Sequence, residues 1–506
     1  MSIGRQAQRA GRARAAGLAT DRIRDVARWI GGRYAGRVAV ITAAGLGARL
    51  ALIWYQPLWR DEAFTAVAVG RPVGQMLQAV RGDSAPPLAY LVDHGIASFW
   101  ASPAGLRVLP ALAGTAAVPI GAALGRRIGG DRAGVAAAAI CAAAPALVLS
   151  SLDARMYAIA TTLVMAATLA LWRALERATW RRFAVYALLM TLALYTDYFA
   201  ILAIPAQLLA GAFVLRAGRR ASLAAAVAAA AAAVALAPWL VFASPQLTHA
   251  GHSFWVPPLG FTSVSGAFVQ FFSGPPVDPW VPLKPLLQTL QGLAVTAGVV
   301  MCFELIRQRR DVGGGGRRAA LFCVTCGLGA VLLLLPISIW RPLVDGRYAS
   351  VVWGPLFPVL GAGLAMFRIR WMIAGGVAAT AAASLALAFA ATHPDTRSAV
   401  SALEARTAAH DLVDAYPSQY LLFLYYAPPN LLSRTRVVEQ DVPWFWGTAA
   451  YPTGVITPTL PRDVASAGGA VYYVRQPDEP PASLPSGYFA RSTQCWTGVC
   501  VVTYTR

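Results

Sequence analysis

The stretch VAVITAAGLGARLALIWYQPLWRDEAFTAV, Val38 to Val67, decides what kind of protein this is. Residues 38–57 are predominantly apolar, and a run of about twenty such residues is the length of helix that crosses a bilayer. Two adjacent carboxylates, Asp61 and Glu62, follow almost at once. An acid pair at the edge of a membrane span is either the start of a surface helix or a piece of chemistry.

The chain outward from this stretch repeats the same apolar pattern. It has 506 residues, of which 57% are hydrophobic and 13% charged, with a mean hydropathy of +0.54. Soluble domains are about half apolar and a quarter charged. The runs have helical length, so the reading is an all-α polytopic membrane protein rather than an outer-membrane barrel with short alternating strands. The net charge of +20 would suggest nucleic acid in a soluble protein. Here the basic residues gather in short clusters between spans, which speaks for topology instead. The first apolar run is too long for a cleavable signal peptide and has no small-residue cleavage site after it, so the first span is expected to be retained.

Eleven spans are predicted, at about 38–57, 105–124, 133–150, 156–173, 183–198, 199–215, 221–242, 285–305, 319–340, 351–367 and 371–392. The arginine-rich tail 1–37 then lies in the cytoplasm. Of the 43 basic residues, 26 fall in this tail and the five turns assigned to the same side, which supports the orientation. Residues 58–103 are amphipathic and read as an outer loop with short helices along the membrane. Residues 393–506 hold Pro, Tyr and β-like runs such as AVYYV and CVVTYT, and read as a small extracytoplasmic α/β domain. Cys323-x-x-Cys326 lies inside an apolar run, as buried small residues rather than zinc ligands. Cys495 and Cys500 are expected to pair as a disulfide if their segment is outside the cytoplasm.

The outer segments collect the unusual polar residues, among them Asp83, Asp93, His94, Asp153, Asp197, Tyr198 and Asp345. That asymmetry favours a catalytic face over a conduction path, since a transporter keeps ionisable groups near the midplane on interrupted helices. Asp61 suits the N-cap of a short helix with Glu62 in its first turn. A carboxylate there can also serve as the general base that deprotonates a hydroxyl attacking a sugar carbon. One base is enough if the leaving group is a phosphate, whose charge arginine can hold with paired hydrogen bonds. Arg155, Arg341 and Arg347 sit at outer span ends, where a lone arginine would otherwise anchor its helix by snorkelling. Tyr90 and His94 share a helix face and, with Asp83, are candidates to shape an acceptor groove. The aromatics of VPWFWG, Val442–Gly447, can anchor at an interface or stack on a sugar. His249 and His252 are three apart without a third ligand nearby, so no metal is expected.

Taken in order, GARLALIWYQPLWRDEAFTAVAVGRP, SAPPLAYLVDHGIASFW, GLRVLPALAGTAAVPIGAALGRRIGGDRAG, SLDARMYAIATTLVMAATLALWRAL, YTDYFAIL and DGRYASVVWGPL resemble the bacterial glycosyltransferases related to protein O-mannosyltransferases and aminoarabinose transferases, in the GT-C superfamily. The resemblance covers about residues 38–370. It implies a GT-C-type transmembrane bundle in the plasma membrane that takes a sugar from a polyprenyl-phosphate donor, with inversion and often without a metal or other cofactor. By that resemblance Asp61 and Glu62 are the acidic motif, with Asp61 the base. Arg155, Tyr157, Arg347 and Tyr348 lie near the donor phosphate, with Arg341 and Lys284 as further candidates on the same side. Mannose is the expected sugar and an envelope glycan, lipoglycan or protein the acceptor. Membrane lipids are partners and nucleic acid is not. An arabinofuranosyl donor, or a flippase for lipid-linked sugars, are the alternatives.

Overall fold

The computed structural model describes residues 33–246, 255–275, 284–307, 313–366, 370–389, 393–461 and 469–506. His249, His252 and Asp278 lie outside these residues. Among the described residues seven helices are long and apolar enough to cross a membrane: Tyr34–Leu52, Pro103–Ala143, Tyr157–Glu176, Arg219–Phe242, Lys284–Phe303, Gly314–Trp340 and Gly346–Met366. The chain is a multi-pass membrane protein. Shorter apolar helices, Tyr198–Val214 and Ala374–Phe389, accompany the seven. Pro103–Ala143 is twice the length of a span because it reverses at Gly129–Gly130, with Gly130 at φ 70°. Its two arms occupy the positions of two expected spans. Small side chains, chiefly alanine, dominate the buried surface of these helices and let their backbones approach closely.

One arginine inside the bundle has a structural task. The second arm of Pro103–Ala143 ends before Pro145, which has no N–H to offer the Cys141 carbonyl. Arg49, 1% exposed, fills the gap. It donates to the carbonyls of Cys141 (3.4 Å) and Ala142 (3.3 Å) across the helix pair. Ser384 donates to the Ala143 carbonyl of the same break.

Between the first span and Pro103 the chain forms three short helices, Arg60–Val69, Val73–Arg81 and Leu88–Ala97. Val73–Arg81 is amphipathic, with Met76, Ala79 and Val80 buried.

After residue 393 the fold changes to a six-stranded sheet in the order β3-β2-β1-β4-β6-β5. The strands are β1 (Leu412–Ala415), β2 (Thr435–Val438), β3 (Ile456–Thr457), β4 (Val471–Arg475), β5 (Phe489–Trp496) and β6 (Val499–Thr505). β1 to β4 run parallel and β6 turns antiparallel to both β4 and β5. Cys495 and Cys500 face each other across the β5–β6 hairpin and are disulfide-bonded. Cys323 and Cys326 are free, buried thiols, as their apolar surroundings imply. The helix Pro417–Tyr426 packs this sheet against the Arg60–Val69 helix, and Tyr426 Oη accepts a bond of 2.9 Å from the Leu58 N–H. The C-terminal segment therefore sits over the start of that helix.

Candidate active site

The Arg60–Val69 helix opens on Trp59 in extended conformation. Asp61 is not its cap. That task falls to Glu62, whose carboxylate reaches back to the Trp59 N–H at 3.3 Å. Glu62 is wholly buried and faces away from the cleft described below. It forms a two-pronged pair with Arg107, at 2.6 Å to Nε and 2.5 Å to Nη2, and accepts the Ala154 N–H at 2.8 Å. Arg107 spends its remaining donors on the carbonyls of Ile53, Gln56 and Pro57. His393 caps the cluster, 2.8 Å from the Pro57 carbonyl and 3.7 Å from Glu62. Burial pushes the Glu62 carboxyl up, and the Arg107 guanidinium more than reverses this, holding it below the usual carboxylate range. The expected pair of catalytic acids is thus divided: Glu62 locks the helix start to the turn 53–57 and to the 151–155 loop, and Asp61 alone opens to the cleft.

The cleft is walled by three groups of residues from distant parts of the chain. The first is cationic. Arg60 Nε pairs with Asp61 Oδ1 at 2.9 Å, and Arg347 Nη1 lies 3.5 Å from Oδ2. Arg155 Nη1 donates to the Asp61 carbonyl (3.4 Å) and to the Tyr90 hydroxyl (3.0 Å), which in turn donates to Asp83 (3.3 Å). Arg155 Nε is buried without a hydrogen-bond partner among the described residues. Arg347 is aimed by its helix start, where Asp345 accepts the Arg347 N–H at 2.8 Å, and by the rings of Trp59 and Trp255, 4.9 and 5.3 Å from the guanidinium carbon.

The second group is acidic, Asp83 and Asp197, both nearly buried. Burial raises the Asp83 carboxyl and pushes that of Asp197 up to about 7. Asp61 moves the other way. Burial penalises its charge, but Arg60, Arg155 and Arg347 together hold it below the ordinary range, so it is ionised at neutral pH. The third group is aromatic: Tyr157, Phe199 and Tyr348 on the bundle side, with Phe199 and Tyr348 stacked at 4.5 Å, and Trp444, Phe445 and Trp446 from the C-terminal segment.

The structure sorts the other expectations. Asp61, Asp83, Arg155, Tyr157, Arg347 and Tyr348 line one cleft, and Tyr90 touches it through Arg155 and Asp83. Arg341, exposed at the end of Leu334–Trp340, and Lys284, at the start of Lys284–Arg307, do not line it. His94 bonds the Val69 carbonyl at 2.7 Å and steadies the short helices instead of shaping a groove. Arg107, His393 and Asp153 are the residues the sequence reading passed over as site components. Asp153 accepts the Trp59 indole N–H at 2.9 Å, and burial beside Glu62 pushes its carboxyl up to about 7. The one available signal for Arg107 was a lone arginine in the first turns of an apolar helix. Among the described residues no three His, Cys, Asp or Glu side chains are placed to hold a metal ion. A larger groove of about 880 Å³ between Tyr34–Leu52 and Pro103–Ala143 is almost wholly apolar, with arginines at one end and no acid in its wall. It lacks the reactive groups that the Asp61 cleft combines.

The chain is similar in structure to ArnT from Cupriavidus metallidurans bound to undecaprenyl phosphate, with a TM-score of 0.58 at 14% identity, over 92% of this chain and 98% of that one. The chain has the GT-C fold. The apo form of the same ArnT gives a TM-score of 0.59 at 14% identity, over 93% and 98%. The archaeal oligosaccharyltransferase AglB from Archaeoglobus fulgidus, in complex with an inhibitory peptide and a dolichol-phosphate, gives 0.50 at 12% identity, over 84% of this chain and 64% of that one. The family model of dolichyl-phosphate-mannose-protein mannosyltransferases matches residues 83–245. That segment carries Asp83, Tyr90, Arg155, Tyr157 and Asp197 of the cleft. No curated protein matches the sequence.

Proposed function

We propose that the protein is an inverting glycosyltransferase that moves a sugar, mannose in the first instance, from a polyprenyl-phosphate donor to an acceptor hydroxyl outside the cytoplasm. The observation that carries this is the placing of one ionised carboxylate, Asp61, beside two cations, Arg155 and Arg347, in a cleft between the bundle and the C-terminal segment. Asp61 takes the proton of the acceptor hydroxyl as its oxygen bonds to the anomeric carbon. The bond from that carbon to the phosphate oxygen breaks, and the polyprenyl phosphate leaves with the electron pair. Arg155 and Arg347 hold its charge, so no proton donor is needed. The fold shared with ArnT and AglB, whose structures hold undecaprenyl phosphate and dolichol-phosphate, supports a lipid phosphate as leaving group. The mannosyltransferase model matched by residues 83–245 supports mannose, with an arabinofuranosyl donor as the alternative. On this reading the protein sits in the plasma membrane with its N-terminus inside, and residues 393–506 form a domain on the outer face, where a disulfide persists.

The test is transfer from a polyprenyl-phosphate mannose by the full-length protein in detergent. Asp61→Asn should fold, keep its affinity for undecaprenyl phosphate, and lose transfer by about a hundredfold or more. Near-parental turnover by that variant would remove Asp61 from the mechanism.

A further inference from the structure

The bundle supplies the cations and the base, but one wall of the cleft comes from the C-terminal segment: Trp444, Phe445, Trp446 and Gly447. The three aromatic rings are partly exposed. They form a short 3₁₀ turn with ring centroids 6.2 and 5.7 Å apart in sequence order. The turn is held against the bundle. Gly447, at φ 74°, packs so closely that a Cβ there would meet Leu421 Cδ1 at 2.8 Å and Phe64 Cδ2 at 3.0 Å. Arg71 donates to the Ala450 carbonyl, and Tyr451 Oη to the Pro417 carbonyl at 2.7 Å. Trp446 is also tied to the base. The Arg60 guanidinium lies 4.4 Å over its ring and pairs with Asp61 through Nε.

We infer that Trp444 and Phe445 are the acceptor platform and that the acceptor is a glycan, whose sugar ring stacks on them while a hydroxyl points at Asp61. This rests on the transferase reading and names its second substrate. Rigid, part-exposed aromatic faces offer apolar area at little entropic cost. The buried acids Asp83 and Asp197 in the same cleft offer acceptors for ring hydroxyls. A flat ring carrying hydroxyls at its edge suits both, whereas an acyl chain brings no donor to the carboxyls and an anionic acceptor meets Asp83. The platform is the cleft wall that the bundle does not supply, so a sugar stacked there faces Arg155 and Arg347, the proposed seat of the donor phosphate.

The experiment is titration calorimetry of the full-length Asp61→Asn protein in detergent, with an α-linked mannohexaose, an arabinofuranosyl hexasaccharide and a Ser/Thr-rich hexapeptide as probes. Saturable binding of one glycan is expected. Trp444→Ala and Phe445→Ala added to Asp61→Asn should each weaken it about fivefold or more. Trp444→Tyr should restore most of the affinity, and undecaprenyl phosphate affinity should report that each variant is folded. Binding of the peptide alone, binding of none of the three, or glycan binding that ignores both substitutions overturns the inference. Because turnover is not read, these outcomes leave the transferase reading standing. Loss of transfer chemistry in the parent would, conversely, leave the binding result intact.

Discussion

Arg107→Met and Glu62→Met, alone and together, separate scaffold from chemistry at the acid pair. Both side chains are essentially unexposed, at 1% and 0%. Removing Arg107 strands a carboxylate without its cation and takes donors from three carbonyls at the 53–57 turn. Breaking one side of a buried pair costs about 3–5 kcal/mol. For a chain of this length the unfolding entropy is on the order of 1 kcal/mol per degree, so each single substitution should lower the melting temperature by about 3–5 °C. The double variant replaces the pair with apolar groups and should lose about 2–3 kcal/mol less than the two singles combined. The assay is thermal unfolding in detergent, with transfer measured on the same preparations.

The pH dependence has a definite sign. In the parent Arg107 holds the Glu62 carboxyl down, so this stabilisation is present above about pH 4 and fades as acid titrates the group. In Arg107→Met burial is opposed only by the Ala154 N–H and by His393, and the carboxyl rises. The variant's deficit should therefore shrink as pH falls from 7 towards 5. A Glu62→Gln protein with the parental melting temperature and no transfer would refute the scaffold assignment and return Glu62 to the chemistry.

Other expectations are narrower. Arg155→Met and Arg347→Met should each weaken undecaprenyl phosphate binding about tenfold or more, since each removes a charge-assisted contact. Asp197→Asn should flatten the stability profile: the Asp197 carboxyl, raised to about 7, stabilises the fold fully below about pH 4 and less as pH rises through 7, so over that window the melting temperature should fall less in the variant than in the parent, since Asp153 and Asp83 titrate in both. Gly447→Ala should cost about 1–3 kcal/mol, from the positive φ and the contacts with Leu421 and Phe64, and should weaken glycan binding with it.

The bundle was legible because apolar length is a one-dimensional property, and the Gly129–Gly130 reversal falls at the basic turn that separates two expected spans. The disulfide was legible because its two cysteines fall in a segment read as lying outside the cytoplasm. The division between Asp61 and Glu62 was not. Adjacent helix residues point about 100° apart, but which of the two meets the cleft depends on where Arg107, forty-five residues later, comes to rest. The same limit explains Lys284 and Arg341. Sequence places a residue at a depth in the membrane, and the lateral arrangement of helices then decides whether it reaches the cleft. His94 was misread for a related reason: its helix face was right, but the Val69 carbonyl of a neighbouring helix takes its ring nitrogen.

The electrostatics of the cleft bear on when Asp61 acts. A carboxylate held below its ordinary range by three arginines is charged but a poor base. Two of those arginines, Arg155 and Arg347, are the ones assigned to the donor phosphate. An anion bound between them neutralises the field that depresses Asp61, while Arg60 continues to fix the carboxylate's orientation through Oδ1. On the proposed reading, basicity thus rises with donor occupancy, and the base is strongest when an anomeric carbon is in place. Departure of the sugar to the acceptor leaves the phosphate more negative, and the Arg155 and Arg347 guanidiniums meet that charge. The acids then separate by environment: Asp61 keeps the charge that the reaction uses, and Asp197, raised by burial, is partly protonated near neutral pH and available to hydrogen-bond a sugar hydroxyl in either sense.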